Sequence, residues 1–419
     1  MPKILLTGTF CSLNKGDAAM QLSALQWLPS GIPHSEMTLL TPFPEIDHNT
    51  YPDTRLFRSS RRQPFLALTL LLRAFLWRLF KHGLRIYLPK LLHHPELLKF
   101  QQADLVVDLS GDTLTEDYGL QCFMSHLVPI LIGIFLDRPV FLCAQTLGPY
   151  RLTKPFARFV LNRVAMISVR EELTLNDLRE LGIRNPPVHL TADLAFILTL
   201  VPATRVDEIL VHEGIFKGDG PLVGLTPSRL LGHRFNPQEP RQFEDLMANV
   251  ANYLIEQKGA MVVLLSHVMG PGVDRDDRIV AGRIFDQIRN QAKVRVVKGD
   301  YRPEELKGLI GRYDMCLGLR MHANIAALSM CVPTLAIAYS RKTYGIMDMV
   351  GQGDWVCDIT HLSSKKLTEK IDRLWDQRET VRRELSRRME EIQQKAKRNI
   401  QLAGSLVESD DIHHGHRES

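Results

Sequence analysis

Short apolar, β-rich runs alternate with longer segments in which apolar residues recur at helical spacing. The runs are Ile4–Thr7, Met37–Leu40, Leu105–Leu109, Val140–Cys143 and Ile167–Val169. Between or after them lie helix-compatible stretches at Asp17–Leu28, Pro64–Tyr87, Tyr118–Leu136, Lys154–Val164 and Glu171–Leu181. Strand, loop and helix in regular succession predict a parallel sheet covered by helices.

A break rich in proline and glycine occupies residues 185–221, and the alternation then restarts. Its strands are expected at Leu222–Thr226, Met261–Leu265, Val294–Val297, Met315–Leu317 and Thr334–Ala338. Its helices are expected at Phe243–Gln257, Asp276–Arg289, Pro303–Gly311, His322–Met330 and Lys342–Val350. The reading is therefore α/β, with two tandem doubly wound Rossmann-like domains at 1–200 and 201–362. A charged helix over 363–404 follows, then a disordered tail over 405–419 carrying His413, His414 and His416.

Composition adds little beyond a soluble, folded chain: 45% of residues are hydrophobic, 24% are charged, and the formal net charge is +5. The distribution of charge says more. Ten basic residues and one acid, Glu96, lie between Arg55 and Lys99, which makes that segment +9 and the rest of the chain −4. Within it, residues 64–87 form a basic pattern rich in Leu, Phe and Trp. This suits either a domain helix with its apolar face in the core or an interfacial helix on an anionic membrane. No nucleic-acid motif accompanies it. Two apolar stretches, Pro64–Phe80 and Tyr118–Leu136, are too interrupted to read as membrane spans. The six cysteines form no C-x-x-C pair, which points to reduced thiols in the cytoplasm.

In doubly wound sheets ligands bind beyond the carboxyl ends of the strands. After the first strand, Asn14, Gly16 and Asp17 offer a turn, a cap for a helix beginning at Ala18, and groups able to bond sugar hydroxyls. Neither a G-x-G-x-x-G fingerprint nor a Walker A spacing is present there. After the third strand stands Asp112, which reads equally as a turn residue.

The densest cluster is in the second half. The strand Met315–Leu317 leads through Gly318 to Arg320, Met321 and His322 and at once into an apolar helix, whose N-terminus attracts anions. Arg320 supplies a fork for phosphate or carboxylate, and His322 can move protons near neutral pH. Two further strand ends deliver Arg229, and Arg341 with Lys342. Three strand ends thus carry cations to one rim, which implies a small anion bearing phosphate and carboxylate. No His/Cys/Asp grouping has metal-ligand spacing, and neither metal nor cofactor is expected.

These residues resemble the polysaccharide pyruvyl transferases. The similarity runs in order through Asn14-x-Gly16-Asp17, Gln145-Thr146-Leu147-Gly148-Pro149, Ile167-Ser168-Val169-Arg170-Glu171, Thr191-Ala192-Asp193, Gly318-Leu319-Arg320-Met321-His322-Ala323 and Tyr339 to Gly345. It departs from the family pattern at Leu109-Ser110-Gly111-Asp112 and at Leu194. The resemblance implies a GT-B-like fold and transfer of pyruvate from phosphoenolpyruvate to a sugar as a ketal. By position it makes Arg229, Arg320, Met321, His322 and Lys342 donor-binding residues. His322, Asp17 and Asp112 become catalytic candidates, and Asn14, Asp17 and Asp112 contact the acceptor, a glycan or lipid-linked sugar. The enzyme would be cytoplasmic, with the inner face of the cell membrane as a peripheral docking place. A nucleotide-sugar glycosyltransferase and a non-catalytic scaffold of a polysaccharide assembly complex are the alternatives.

Overall fold

A computed structural model describes residues 1–216, 218 and 220–415, without the side chains of His233 and of residues 409–415. The chain divides into two compact units. The first comprises Met1–Ser12, Met20–Leu194 and the residues from Gln394 onward; the second comprises Leu13–Ala19 and Ala195–Gln393.

The first unit holds a seven-stranded, wholly parallel sheet in the order β3-β2-β1-β4-β5-β6-β7. Its strands are β1 (Lys3–Thr7), β2 (Glu36–Thr41), β3 (Arg55–Arg58), β4 (Leu105–Asp108), β5 (Val140–Gln145), β6 (Met166–Val169) and β7 (Val188–Leu190). The helices are α1 (Lys15–Gly31, whose first turn counts with the second unit), α2 (Pro44–Asp47), α3 (Pro64–Arg78), α4 (Pro95–Gln102), α5 (Leu120–Phe135), α6 (Lys154–Leu161) and α7 (Glu172–Leu181). Strands β1, β4 and β5 are buried almost throughout, so they read as unbroken apolar runs rather than alternating ones. Strand β3, with Arg at both ends and partial exposure, is an edge strand, and its charge hid it from the pattern.

The second unit holds a six-stranded parallel sheet in the order β10-β9-β8-β11-β12-β13. Its strands are β8 (Leu222–Thr226), β9 (Met261–Leu264), β10 (Val294–Val296), β11 (Met315–Gly318), β12 (Thr334–Ala338) and β13 (Val356–Asp358). The helices are α8 (Ala203–His212), α9 (Arg229–Phe235), α10 (Arg241–Lys258), α11 (Asp277–Asp286), α12 (Pro303–Ile310), α13 (Met321–Ser329), α14 (Arg341–Met349) and α15 (Ser364–Gly415, which counts with the first unit from Gln394 onward). Each sheet reverses direction of winding next to its first strand, at β1/β4 and at β8/β11, the topology of the doubly wound folds. Helix α15 extends past the expected end at residue 404 to Gly415, and the last four residues of the expected tail, His416 among them, lie outside the described ones. Among the described residues no helix is long and apolar enough to cross a membrane.

The linker after β7 enters the second unit at Ala195, and a buried lysine ties it down. Lys307 Nζ donates to the carbonyls of Ala195, Phe196 and Leu198 at 3.2, 3.2 and 3.1 Å. Burial pulls this ammonium down to about 7, while its three donors are all matched to carbonyl oxygens.

Candidate functional site

The carboxyl edge of the second sheet follows a simple rule along the chain. Two residues past the ends of the adjacent strands β9, β8, β11 and β12 stand Ser266, Ser228, Arg320 and Ser340. The latter three each precede a helix, α9, α13 and α14. Ser228 and Ser340 take the N-cap position without donating or accepting a side-chain cap bond. The hydroxyls of Ser228, Ser266 and Ser340, Nδ1 of His267 and Oδ1 of Asn324 are buried with no hydrogen-bond partner among the described residues. Buried polar groups are rarely left so, and here several share one sheet edge.

Arg320 is held rigidly. Its Nε and Nη2 donate to the two oxygens of Asp277 at 3.0 and 2.7 Å, a bidentate fork. Asp277 is completely buried and also accepts the backbone N–H of Arg229 at 3.0 Å. One carboxylate at the start of α11 therefore aligns both arginine positions that precede α9 and α13. The Arg229 guanidinium points the other way, to the carbonyl of Val273 and the carboxylate of Asp274, both at 3.3 Å. The remaining motif residue, Met321, is buried in the first turn of α13.

The Asn14–Asp17 motif joins this edge. Asn14 bridges to Val268, and the N–H of Lys15 donates to the carbonyl of His267 at 2.9 Å. The expected cap changes by one step. Helix α1 begins at Lys15, Asn14 Oδ1 accepts the N–H of Gly16 at 3.1 Å, and Asp17 lies in the first turn, where a carboxylate favours the helix dipole. Gly16 is required by a neighbour rather than by its turn. A Cβ there would stand 2.3 Å from His322 Nδ1, so the His322 ring rests against bare backbone. Gly318 is likewise forced, because the Asn324 amide fills the space its side chain would take. The glycines of N-x-G-D and G-x-R-M-H-A are thus both explained by side chains of α13.

The electrostatics favour an anion. Burial, and then the neighbouring His322, Arg320 and Lys15, push His267 down to about 3, so it is neutral at neutral pH. Burial pulls Lys342 down to about 7, against the opposing pull of Asp17. Lys342 Nζ sits 5.4 Å from the Tyr339 ring centroid. Lys15 is buried and paired with Asp300.

Of the residues singled out in the sequence, the second unit brings together Asn14, Asp17, Arg229, Arg320, Met321, His322 and Lys342. Asp112 belongs to the first unit, where Tyr118 Oη donates to it at 2.6 Å. Asp277, His267 and Ser266 escaped notice. The last two follow a recognised strand, and inspecting that strand end would have found them. Asp277 carries no local signal, because its partners lie 43 and 48 positions away in sequence.

The motifs of the first unit form a separate structure. Arg170, fully buried, donates to Asp193 Oδ2 at 2.5 Å and to Thr146 Oγ1 at 2.9 Å, and Thr146 in turn donates to Glu171 at 3.1 Å. A register shift in β5, with Ala144 at φ 51, carries Gln145 to Asp108, whose carbonyl accepts Gln145 Nε2 at 2.9 Å. Asp108 is buried and accepts from Thr7 and from the N–H of Ser110, both at 3.0 Å. Desolvation raises its pKa all the same. Nearby, His126 is buried between Thr113 and Ser110, and burial drives its basicity well down. Arg61, from the basic segment, donates to the carbonyls of Gly8 and Thr9.

Comparisons with known proteins give the family and the fold. The model of the polysaccharide pyruvyl transferase family matches residues 14–341. The amylovoran biosynthesis protein AmsJ of Erwinia amylovora is 26% identical over 404 residues, spanning 93% of this chain and 96% of that protein. Among solved structures, S. aureus MnaA with UDP matches with a TM-score of 0.61 at 11% identity, covering 90% of each chain. Anabaena HepE in complex with UDP-glucose gives 0.60 at 12% identity, covering 98% of this chain and all of that one. A glycosyltransferase from Rickettsia africae gives 0.58 at 11%, with 97% and 98% covered. At such identities these structures share the GT-B-like fold and nothing finer.

Proposed function

This chain belongs to the polysaccharide pyruvyl transferase family and is a transferase; from that premise we propose that it moves the pyruvyl group of phosphoenolpyruvate onto a sugar of an exopolysaccharide or cell-surface glycan precursor, as a ketal, with release of phosphate. The observation that carries this reading is the cationic edge of the second sheet, where Arg320 is aligned by Asp277 beside His322 and the first turns of α13 and α14. The donor carries one phosphate and one carboxylate. A rigid guanidinium, helix N-termini and unmatched serine hydroxyls suit both groups.

Phosphoenolpyruvate is an enol phosphate, so its C3 is nucleophilic and its C2 becomes electrophilic once C3 is protonated. His322 gives that proton. A sugar hydroxyl then adds to C2 and loses its proton to a base, which passes it to the phosphate oxygen as the C2–O bond breaks. A second hydroxyl of the same sugar closes on C2 and returns a proton to His322. Donor and diol become ketal and phosphate, with protons balanced. Arg320 and Lys342 hold the charge that develops on the departing phosphate, which is where fixed cations act most strongly; the Arg229 guanidinium joins them only by turning from Val273 and Asp274. Asp17 acts with this set: it stands in the second unit and interacts electrostatically with Lys342, so it tunes the lysine and orients the incoming hydroxyl. Asp112 and Asn14 remain the groups assigned to the acceptor. The free thiols of all the cysteines suit a cytoplasmic enzyme acting on a glycan precursor.

The test is incubation of the purified chain with phosphoenolpyruvate and a panel of lipid-linked and nucleotide-linked sugars. Phosphate release with a mass gain of one pyruvyl group on one acceptor is the expected result. Transfer from a nucleotide sugar instead would overturn the reading.

A further inference from the structure

Helix α3 is apolar on two opposite faces. Ala67, Leu70, Ala74 and Trp77 are buried in the core of the first unit. Phe65, Leu68, Leu72 and Phe75 lie on the other side and are 86%, 63%, 53% and 44% exposed. At 100° per residue, these four fall within about 80° of arc, centred opposite the buried stripe. Leu79 extends the ridge by one turn, and Leu84, Ile86 and Tyr87, which follow in the chain around Arg85 (left-handed, φ 53), are exposed as well, with the Tyr87 ring against Trp77. A contiguous exposed apolar ridge of this kind marks an interaction site.

Charge identifies its occupant. Residues 64–92 contain Arg73, Arg78, Lys81, Arg85 and Lys90 and no carboxylate. One acid from elsewhere, Asp137, takes up Arg78, Lys81 and His82. Arg73 donates only to the carbonyls of Leu91 and Lys90, and Arg85 and Lys90 are exposed. The ridge therefore keeps a net positive border. Two copies of the chain meeting ridge to ridge would bring like charges together, whereas an anionic bilayer supplies both an apolar phase and opposite charge.

We propose that this ridge is a membrane-docking surface, with Phe65, Leu68, Leu72 and Phe75 entering the headgroup–acyl boundary of an anionic leaflet and Arg85 and Lys90 contacting its lipid phosphates. The proposal does not depend on the donor or the chemistry. It extends to the exposed face of α3 the choice left open in the sequence, since the helix serves the core with one stripe and presents a second.

The experiment is co-sedimentation of the full chain with vesicles of phosphatidylcholine alone or mixed with phosphatidylglycerol, at low and high salt. Binding to the mixed vesicles, at least about tenfold weaker on neutral ones and falling several-fold with salt, is expected. Phe65→Ser/Leu68→Ser/Leu72→Ser should lower the partition coefficient at least about tenfold, with an unchanged melting temperature because these side chains leave the core untouched. Arg85→Glu/Lys90→Glu should remove the preference for the anionic lipid. Wild-type binding by the triple variant, equal binding to neutral vesicles, or absence of binding would overturn the proposal. So would a dimer in light scattering that the same three substitutions dissociate.

Discussion

At the carboxyl edge of the first sheet, Arg170 and Asp193 are both fully buried and meet each other, with Thr146, Glu171 and Thr174 completing the network. At the same edge of the second sheet, Arg320 meets Asp277 just as closely, but its guanidinium keeps 19% of its side-chain surface exposed, and a row of buried serine hydroxyls stands unmatched beside it. The two sheets wind alike, and both place an arginine–aspartate pair beyond their strands. What differs is what surrounds the pair. Around the first pair protein groups take up most of the bonding capacity, although Gln145 Oε1 and Arg170 Nη2 are unmatched there. In the second unit several buried hydroxyls beside the pair are left without a partner among the described residues. The first arrangement is closed on itself, and the second is the one to which the proposed donor site is assigned.

The comparison breaks most easily at its two arginines. Arg170→Met should cost about 3–5 kcal/mol in chemical denaturation, because it strands buried Asp193. It should leave phosphoenolpyruvate affinity of the folded protein within a few-fold by calorimetry. Equal losses of stability and affinity would erase the distinction between the edges. His322→Ala should lower phosphate release by about 10²–10⁴-fold with donor binding largely retained, and near-wild-type turnover would remove its acid role. Arg320→Lys keeps the charge but loses the fork. It should weaken donor binding about tenfold with little change in melting temperature.

Finer effects sharpen the picture. Gly16→Ala gains helix propensity but drives a Cβ into the His322 ring and its Cβ, so turnover should fall about tenfold and the melting temperature should fall with it. Burial pulls Lys342 down to about 7, and its proposed role requires the cation. The kcat/KM for phosphoenolpyruvate should therefore decline above about pH 7, and Lys342→Arg should flatten that limb. His267 is held neutral in the fold at about 3 but takes up a proton near 6.5 when unfolded. Between those values the unfolded state binds the extra proton, so stability falls as the pH drops, by at most about 1.4 kcal/mol per unit. His267→Gln should reduce that slope in pH-dependent melting.

Much of this was legible locally. Apolar runs and helical spacing carry their own periodicity, so most of the strands and helices needed only a short window to see, among them β1, β4, β5, β8, β11 and β12. Edge strands β3, β7 and β13 were missed because three or four residues are too few to show a period, and β7 also lies inside the proline-rich stretch read as a break. Arg320, His322 and Lys342 were visible because each stands at or just beyond a strand end, where topology itself points to ligands.

The chain's own order of residues thus determined the two parallel sheets, the cationic strand ends and the basic segment around α3, since each depends on neighbours in sequence. Tertiary structure alone decided the rest. It assigned Asn14 and Asp17 to the second unit, made Asp277 the anchor of Arg320, and turned the remaining family motifs into one buried network around Arg170. It also separated the two apolar faces of α3 into one that is covered and one that is not. Such facts depend on which distant groups share a dielectric environment and on which surface finds a partner, and neither quantity is a property of any short stretch of chain.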